Sequence, residues 1–270
     1  MSRAENAVRE IHRMDCAASQ DQWANRLHPL VKFLLTVYYI ALTVSFSKYD
    51  VIGICGMVIY PLVMFLLSEL SFSDCLRRLK LVLPLVCVVG ILNPFLDHTT
   101  IELGGIEMSA GVLSMLTLIC KGVFSLLASY LLIATTSIDQ LCYAFRLLHM
   151  PKILMTQILL TYRYITVLLE EVSRMMQAYA LRAPNQKGIH ITAWGSLTGQ
   201  LLLRSVDRAN VVYESMVLRG YRGSFAYIGE KTRLRAQDIA FFAVWLTVLT
   251  LFRKYPVFIL IGNLTGGLFT

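Results

Sequence analysis

The sequence predicts an all-α integral membrane protein with five or six membrane helices and a basic cytoplasmic platform of three helices. Two observations carry this prediction. The 270-residue chain is 56% hydrophobic and only 16% charged, whereas soluble domains are about half apolar and about a quarter charged. Its mean hydropathy is +0.61. Residues 135–237 hold 13 Lys/Arg against 6 Asp/Glu, so most of the net charge of +8 lies in one stretch.

Apolar runs before and after this basic stretch have the length of membrane spans, since a helix needs about 20 predominantly apolar residues to cross a bilayer. No apolar signal-peptide region precedes them within residues 1–28, so we expect the first run to insert and anchor the chain. The runs are Leu30–Phe46, Val51–Ser68, Leu79–Leu96, Met108–Thr135, Ile239–Phe252 and Val257–Phe269, the last being either a short sixth span or a re-entrant segment.

The loop charges predict the orientation, because cytoplasmic loops carry an excess of Lys and Arg. The loop at 69–80 contains Arg77, Arg78 and Lys80, whereas the loop at 97–107 contains three acidic residues and no Lys or Arg. The N-terminus is therefore expected in the cytoplasm. The predicted organisation is a cytoplasmic segment 1–28, four membrane helices in 29–135, a cytoplasmic domain 136–237 and a C-terminal membrane segment 238–270.

Three helices are predicted within the cytoplasmic domain. Ser137 and Gln140 have the spacing of a capping box for the first, and Pro151 suits the first position of the second, which runs to about Arg182. The third runs from about Thr192 to Arg219. Its residues at steps of four and three predict a packing seam against another helix. The seam residues are Leu202, Val206, Ala209, Tyr213 and Met216.

The second of these helices has an alternative interpretation as a membrane span, because Ile153–Leu169 is apolar. Arg163 lies in its middle, and an arginine at the bilayer centre costs at least about 2.5–3.5 kcal/mol on insertion scales. A helix lying in or under the membrane interface fits this arginine better.

The second and third platform helices end in similar tetrapeptides, Ala180-Leu181-Arg182-Ala183 and Val217-Leu218-Arg219-Gly220. A single arginine in a last helical turn is explained by its interaction with the helix dipole. Two such arginines, on consecutive helices, favour a docking role, because the guanidinium fork suits carboxylates and carbonyls of a partner.

Seven short segments spread over most of the chain have a recognisable family pattern. They are Asn25-Arg26-Leu27-His28-Pro29-Leu30-Val31-Lys32, Leu92-Asn93-Pro94-Phe95, Ala134-Thr135-Thr136, Pro151-Lys152-Ile153-Leu154, Thr161-Tyr162-Arg163-Tyr164-Ile165, Asp207-Arg208-Ala209 and Met216-Val217-Leu218-Arg219-Gly220-Tyr221. In these segments the sequence resembles the transmembrane coupling (T) component of energy-coupling factor transporters, in particular the cobalt-type CbiQ family.

The resemblance implies a non-catalytic permease subunit of an ABC importer in the prokaryotic plasma membrane. In that family, arginines of two X-Arg-X motifs enter grooves of two ABC ATPases, and a separate membrane (S) subunit binds the substrate. The matching motifs are Leu181-Arg182-Ala183 and Leu218-Arg219-Gly220. Many members have Ala before each arginine, and this chain has Leu. Cobalt uptake linked to cobalamin biosynthesis is implied, with nickel or a vitamin as alternative substrates.

No cofactor or metal is expected on this chain, and ATP and Mg²⁺ are expected on the ATPases. The sequence has no G-x-x-x-x-G-K-[ST] phosphate loop. Its five histidines show no H-x-x-H or H-E-x-x-H spacing, and its six scattered cysteines form no C-x-x-C pair. A membrane-embedded lipid or prenyl transferase and a secondary transporter are competing classes. The first would need clustered acidic residues for Mg²⁺, and the second would need inverted repeats.

Lys121 lies near the middle of the fourth predicted span, too deep for its ammonium to reach the interface easily. Two interpretations remain open for it. The lysine either faces the bundle interior beside a polar partner or contacts the substrate-binding subunit, because intramembrane charges are usually functional.

Overall fold

The computed structural model describes residues 9, 23–68, 72–96, 100–103, 106–184, 188–223 and 234–254. Within them the chain forms a helical membrane-protein fold, which confirms the predicted class. In chain order the elements are α1 Trp23–Arg26, α2 Pro29–Ser45, α3 Val51–Gly56, α4 Ile59–Ser68, α5 Phe72–Leu96, β1 Thr100–Leu103, β2 Ile106–Ser109, α6 Ala110–Thr135, α7 Ile138–Leu147, α8 Lys152–Arg182, α9 Ile191–Leu218 and α10 Ala236–Lys254.

Three of the helices in the described ranges are long and apolar enough to cross a membrane: α6, α8 and α10. α2 is apolar but has only 17 residues. The predicted segment Val257–Phe269 lies outside the described residues, so the choice between five and six spans stays open.

The chain divides into two compact units, with boundaries at Ser137 and between Lys231 and Thr232. The described part of one unit comprises α7, α8 and α9, and that of the other comprises the remaining helices and the hairpin. The prediction that the first of these units lies in the cytoplasm is not tested by this division and stays a prediction.

The unit that contains α2, α6 and α10 is here called the membrane unit, because α6 and α10 are candidate spans. Its core lies where α2, α3, α4, α6 and α10 meet. Tyr39 and Tyr60 pack with ring centroids 4.6 Å apart, and Trp245 meets Tyr60 edge-on at 5.1 Å. Aromatic pairs at such separations are favourable beyond the area they bury. This aromatic cluster joins α2, α4 and α10.

The second predicted span is two helices, α3 and α4, separated by a turn at Met57 and Val58. Pro61 has no N–H group to donate to the carbonyl of Met57, four residues earlier. The Tyr39 hydroxyl donates to that carbonyl instead, at 2.9 Å. The break is therefore accommodated by a side chain from the neighbouring helix.

The segment between the third and fourth predicted spans contains a short antiparallel hairpin of β1 and β2, in which Glu102 pairs with Glu107. α6 consequently begins at Ala110, two residues later than the apolar run. The predicted capping box is confirmed, with Ser137 as N-cap of α7 and Gln140 at the third helical position. Pro151 precedes α8 as its N-cap and is not its first helical residue, contrary to the prediction.

Candidate functional site: the ends of two helices

The C-terminal end of α9 holds Arg219 in a defined geometry. Tyr221 N–H donates to the Met216 carbonyl and Gly220 N–H donates to the Val217 carbonyl, each at 2.9 Å. Gly220 has φ +85°. These are the two hydrogen bonds and the left-handed residue of a Schellman motif, and Arg219 is the capping residue immediately before the reversal.

The C-terminal end of α8 is built differently, although its sequence is similar. Arg182 is the last helical residue, Ala183 is the C-cap, and the Ala183 N–H donates to the Tyr179 carbonyl at 3.0 Å. Arg182 therefore sits one helical position earlier than Arg219 relative to its helix end. The similarity of the two tetrapeptides does not extend to the backbone that follows each arginine.

Both helix ends expose an apolar side chain beside the arginine. Leu181 is 83% exposed and Leu218 is 88% exposed, and Arg182 and Arg219 are exposed as well. Transfer of a leucine side chain from water into an apolar groove lowers the free energy. The guanidinium group can donate up to five hydrogen bonds to a partner. Each helix end thus presents both an apolar and a polar group suited to a groove on another protein.

The two ends lie on opposite sides of the point where α8 and α9 meet. At that point Arg204 forms an ion pair with Glu171, which also lies 3.8 Å from Arg174. The N-terminus of α9 adjoins the C-terminal part of α8, where the Tyr179 hydroxyl accepts a hydrogen bond from His190 N–H at 3.4 Å. The arginine ends therefore lie about 16 Å and about 22 Å along their helices from this meeting point, in diverging directions.

Most of the predicted seam on α9 is exposed within the described residues, and its packing against another helix stays a prediction. Leu202, Val206, Ala209 and Tyr213 are exposed, and only Met216 is half-buried. The half-buried face of α9 is displaced from this seam by about one residue position. Its residues are Ala193, Leu197, Leu201, Ser205, Val212 and Met216. Glu170 and Arg174, four residues apart on α8, lie 3.7 Å apart, with both side chains mostly exposed.

Lys121 finds polar partners within the chain. Its ammonium donates to the Val44 carbonyl at 3.1 Å and to the Phe46 carbonyl at 2.5 Å. The first of the two interpretations of this lysine requires such partners. A contact between Lys121 and a partner subunit stays a prediction.

A cluster of buried polar residues at the other end of α2 was not predicted. Lys32 is 2% exposed, and its ammonium donates to the Thr135 carbonyl at 2.6 Å and to the Asn25 carbonyl at 3.5 Å. Asp238 is also buried, and its carboxylate accepts from His28 N–H at 3.3 Å and from Arg235 N–H at 2.9 Å. Buried charges require such partners.

Sequence signals existed for this cluster. A lysine within an apolar segment is rare and usually functional, and Lys32 belongs to the first segment that carries the family resemblance. However, Lys32 lies near the start of the predicted span Leu30–Phe46, where a lysine can also extend to the interface. Its burial depends on Thr135 and on the neighbourhood of Asp238, more than 100 and 200 residues away in the sequence, respectively.

Among the side chains that the structure describes, no group of three or more His, Cys, Asp or Glu could hold a metal ion. His98, in the acidic loop considered above, lies outside the described residues.

Comparison with known proteins identifies related sequences. The profile of the family CbiQ, described as cobalt transport protein, matches residues 20–228. Two uncharacterized proteins of Methanocaldococcus jannaschii are each 31% identical to the chain, over 120 and 113 residues. These segments are 43% and 41% of this chain and 40% and 42% of the relatives. The chain therefore matches about two fifths of the length of these curated relatives.

Proposed function

Because the chain belongs to the CbiQ family of cobalt transport proteins, we propose that it is the membrane coupling subunit of an ATP-driven cobalt importer of the energy-coupling factor type. Two ATPases bind its arginine helix ends from the cytoplasm, and a separate membrane subunit holds the substrate. The chain itself is a non-catalytic, multi-pass protein of the plasma membrane with a cytoplasmic N-terminus.

The observation that carries this proposal is the pair of exposed leucine–arginine ends on α8 and α9. Leu218 and Leu181 are among the three most exposed large apolar side chains of the described residues, and burying them in a partner would be favourable. The two ends diverge from the contact of Glu171 with Arg204, so one small groove cannot receive both. This separation supports two docking points, one for each ATPase.

The mechanism that follows is mechanical. ATP binding closes the two ATPases and changes the distance between the docked ends at Arg182 and Arg219. α8 and α9 have about 46 Å and about 42 Å of helix, respectively, to carry that displacement. The displacement passes through the start of α7 at Ser137 into α6, and the substrate-binding subunit then reorients and releases its substrate inward.

The central experiment reverses the charge of both docking residues. In the double variant Arg182→Glu/Arg219→Glu we expect copurified ATPase to fall at least tenfold and cobalt uptake to fall to background. Removing one partner of a buried charge pair at an interface costs about 2–5 kcal/mol or more, which is enough for this loss. Uptake of nickel and of a vitamin is measured alongside cobalt, to test the alternative substrates.

Arg146→Glu is the matched control, because Arg146 is also an exposed arginine in a last helical turn of the same unit. It undergoes the same interaction with the helix dipole, but the residue before it is the half-buried Phe145 and not a highly exposed leucine. We expect this variant to bind ATPases and transport normally. Normal ATPase binding and uptake by the double variant would refute the docking proposal.

A further inference from the structure

Lysines on α2 and α6 bind each other's helix ends. Lys32, near the start of α2, donates to the carbonyl of Thr135, the last residue of α6. Lys121, in the middle of α6, donates to the carbonyls of Val44 and Phe46, at the end of α2. The two helices are therefore antiparallel and share two contacts of the same kind, here called the reciprocal lysine pair.

The physical reason for each contact is the chemistry of a helix C-terminus. The last four carbonyls of a helix have no partner within it, and the C-terminal end carries partial negative charge that a cation stabilises. α2 spans only about 26 Å, less than the ~30 Å of a hydrocarbon core. Its C-terminal carbonyls would thus face hydrocarbon without partners, an arrangement that membranes do not tolerate.

Arg253 completes the set of cations at this end of α2. Its guanidinium donates to the Ser45 carbonyl at 2.9 Å and lies 4.3 Å from the centre of the Phe46 ring. Three consecutive carbonyls, those of Val44, Ser45 and Phe46, are thereby bonded by two cations from α6 and α10.

The spacing of the reciprocal lysine pair fixes the axial register of the two helices. From Lys32 to the last residue of α2 is about 20 Å, and from Lys121 to the last residue of α6 is about 21 Å. Because these lengths match, both contacts form at the same register. Sliding one helix past the other by one turn, about 5.4 Å, would break both contacts together.

Thr135 is also the place where the membrane unit continues into the unit of α7, α8 and α9, since that unit begins at Ser137. We propose that Lys32 and Lys121 are positioning residues that make α2 and α6 move as one body, so that displacement entering at Thr135 reaches the far end of α2 undiminished. This proposal rests on the proposed function only for the source of the displacement.

The first test measures the register in the full chain alone, in lipid bilayers, with spin labels at Val44→Cys and Leu116→Cys. Both positions are exposed, on α2 and α6 respectively. With both lysines present we expect one narrow distance distribution. In Lys121→Met we expect the distribution to broaden or shift by about one helical turn, about 5 Å. Lys121→Arg should restore the narrow distribution, because the cation is kept.

The second test measures transport in the assembled importer. In Lys32→Met and Lys121→Met we expect ATPase binding and ATP hydrolysis within twofold of the parent chain, and substrate taken up per ATP reduced at least tenfold. Lys254→Met is the control, since it removes an exposed lysine of the same unit. If Lys32→Met does not fold, Lys121→Met carries the test alone, because Arg253 still bonds Ser45 in that variant.

The outcomes separate this proposal from the proposed function. An unchanged label distance in Lys121→Met would show that the reciprocal lysine pair does not fix the register of α2 and α6, whatever the result with the arginine variants. A changed distance with unchanged uptake per ATP would overturn its role in transmission. Failure of the docking proposal appears instead in the ATPase binding of Arg182→Glu/Arg219→Glu, which does not depend on the register of α2 and α6.

Discussion

Gly220 determines how the chain leaves α9 immediately after Arg219. Its φ of +85° is in the left-handed region, where a residue with a Cβ is less stable by about 1–2 kcal/mol. No atom lies within 4 Å of a Cβ added there, so backbone strain is the whole effect. We expect Gly220→Ala to lower the free energy of unfolding by that amount, measured by thermal unfolding of the purified chain, and to weaken ATPase binding.

Gly199 provides the control on the same helix. It lies inside α9 without a positive φ, and a Cβ there also meets no atom within 4 Å. Alanine in a helix interior is favoured over glycine by about 0.5–1 kcal/mol, so Gly199→Ala should stabilise the chain. A stabilising or neutral effect of Gly220→Ala would contradict the left-handed backbone conformation of Gly220 at the end of α9.

Cys142 illustrates how burial determines the chemistry of a single residue. It is buried on α7, and this burial, together with the nearby carboxylate of Asp139, raises the pKa of its thiol to about 11. The thiol is thus protonated at neutral pH, and it behaves as a small apolar side chain.

At the scale of elements, α5 and α6 approach each other closely at a glycine of α6. A Cβ on Gly122 of α6 would lie 2.7 Å from Cγ1 of Val86 on α5. Valine is stiff at χ1 and cannot move aside easily, so we expect Gly122→Ala to destabilise the chain by about 1–3 kcal/mol. The measurement is the shift of the thermal unfolding midpoint in detergent.

Two further variants check this prediction. Adding Val86→Ala to Gly122→Ala should recover part of the loss, because residues in contact show coupling energies of about 0.5–3 kcal/mol. On α5, Gly90→Ala should be tolerated, since its Cβ would lie 3.4 Å from the flexible Met115 side chain. Equal destabilisation by the changes at Gly90 and Gly122 would show that the close approach at Val86 is not the cause.

The helix positions could be predicted from sequence wherever length and apolar content decide them. α2, α6 and α10 follow their apolar runs within a few residues. The break between α3 and α4 was missed because Pro61 stands inside a continuous apolar run, and hydropathy does not register a missing N–H group. On α9, heptad spacing finds the apolar residues of the predicted seam, but it does not show which face of the helix meets Glu171 on α8.

The candidate site, too, could be predicted from the sequence only in part. The ends at Arg182 and Arg219 could be located from helix-breaking residues and local capping chemistry, which act within a few positions. The cluster around Lys32 and the partners of Lys121 could not, because they depend on carbonyls 103 and 75–77 residues away in sequence. A charged residue in an apolar run indicates that a partner is needed, but only the fold supplies its identity.

For the whole molecule, the position of α8 relative to the membrane decides how the importer is built. α8 is long and apolar enough to span a bilayer, yet Arg163 in its middle would then sit in hydrocarbon at a cost of at least about 2.5–3.5 kcal/mol. If α8 lies on the cytoplasmic side, both of its ends face the cytoplasm and both arginine ends can meet ATPases. If it spans, its two ends face opposite compartments.

Accessibility of single cysteines distinguishes the two arrangements. Met150→Cys and Ala180→Cys place a thiol just before α8 and near its end, at exposed positions, in a chain whose six cysteines are replaced. We expect a membrane-impermeant maleimide to label both in inside-out vesicles and neither in intact cells. Ser47→Cys, after α2, should show the reverse, because the loop charges place that segment outside.

Labelling of Met150→Cys and Ala180→Cys from opposite sides would establish α8 as a membrane span. One end of α8 would then lie outside the cytoplasm. Ala180 lies two residues before Arg182, so it reports the side of the membrane on which Arg182 lies. Docking of a cytoplasmic ATPase at Arg182 therefore requires that Ala180→Cys be labelled from the cytoplasm in either arrangement. Labelling of Ala180→Cys from outside would exclude this docking.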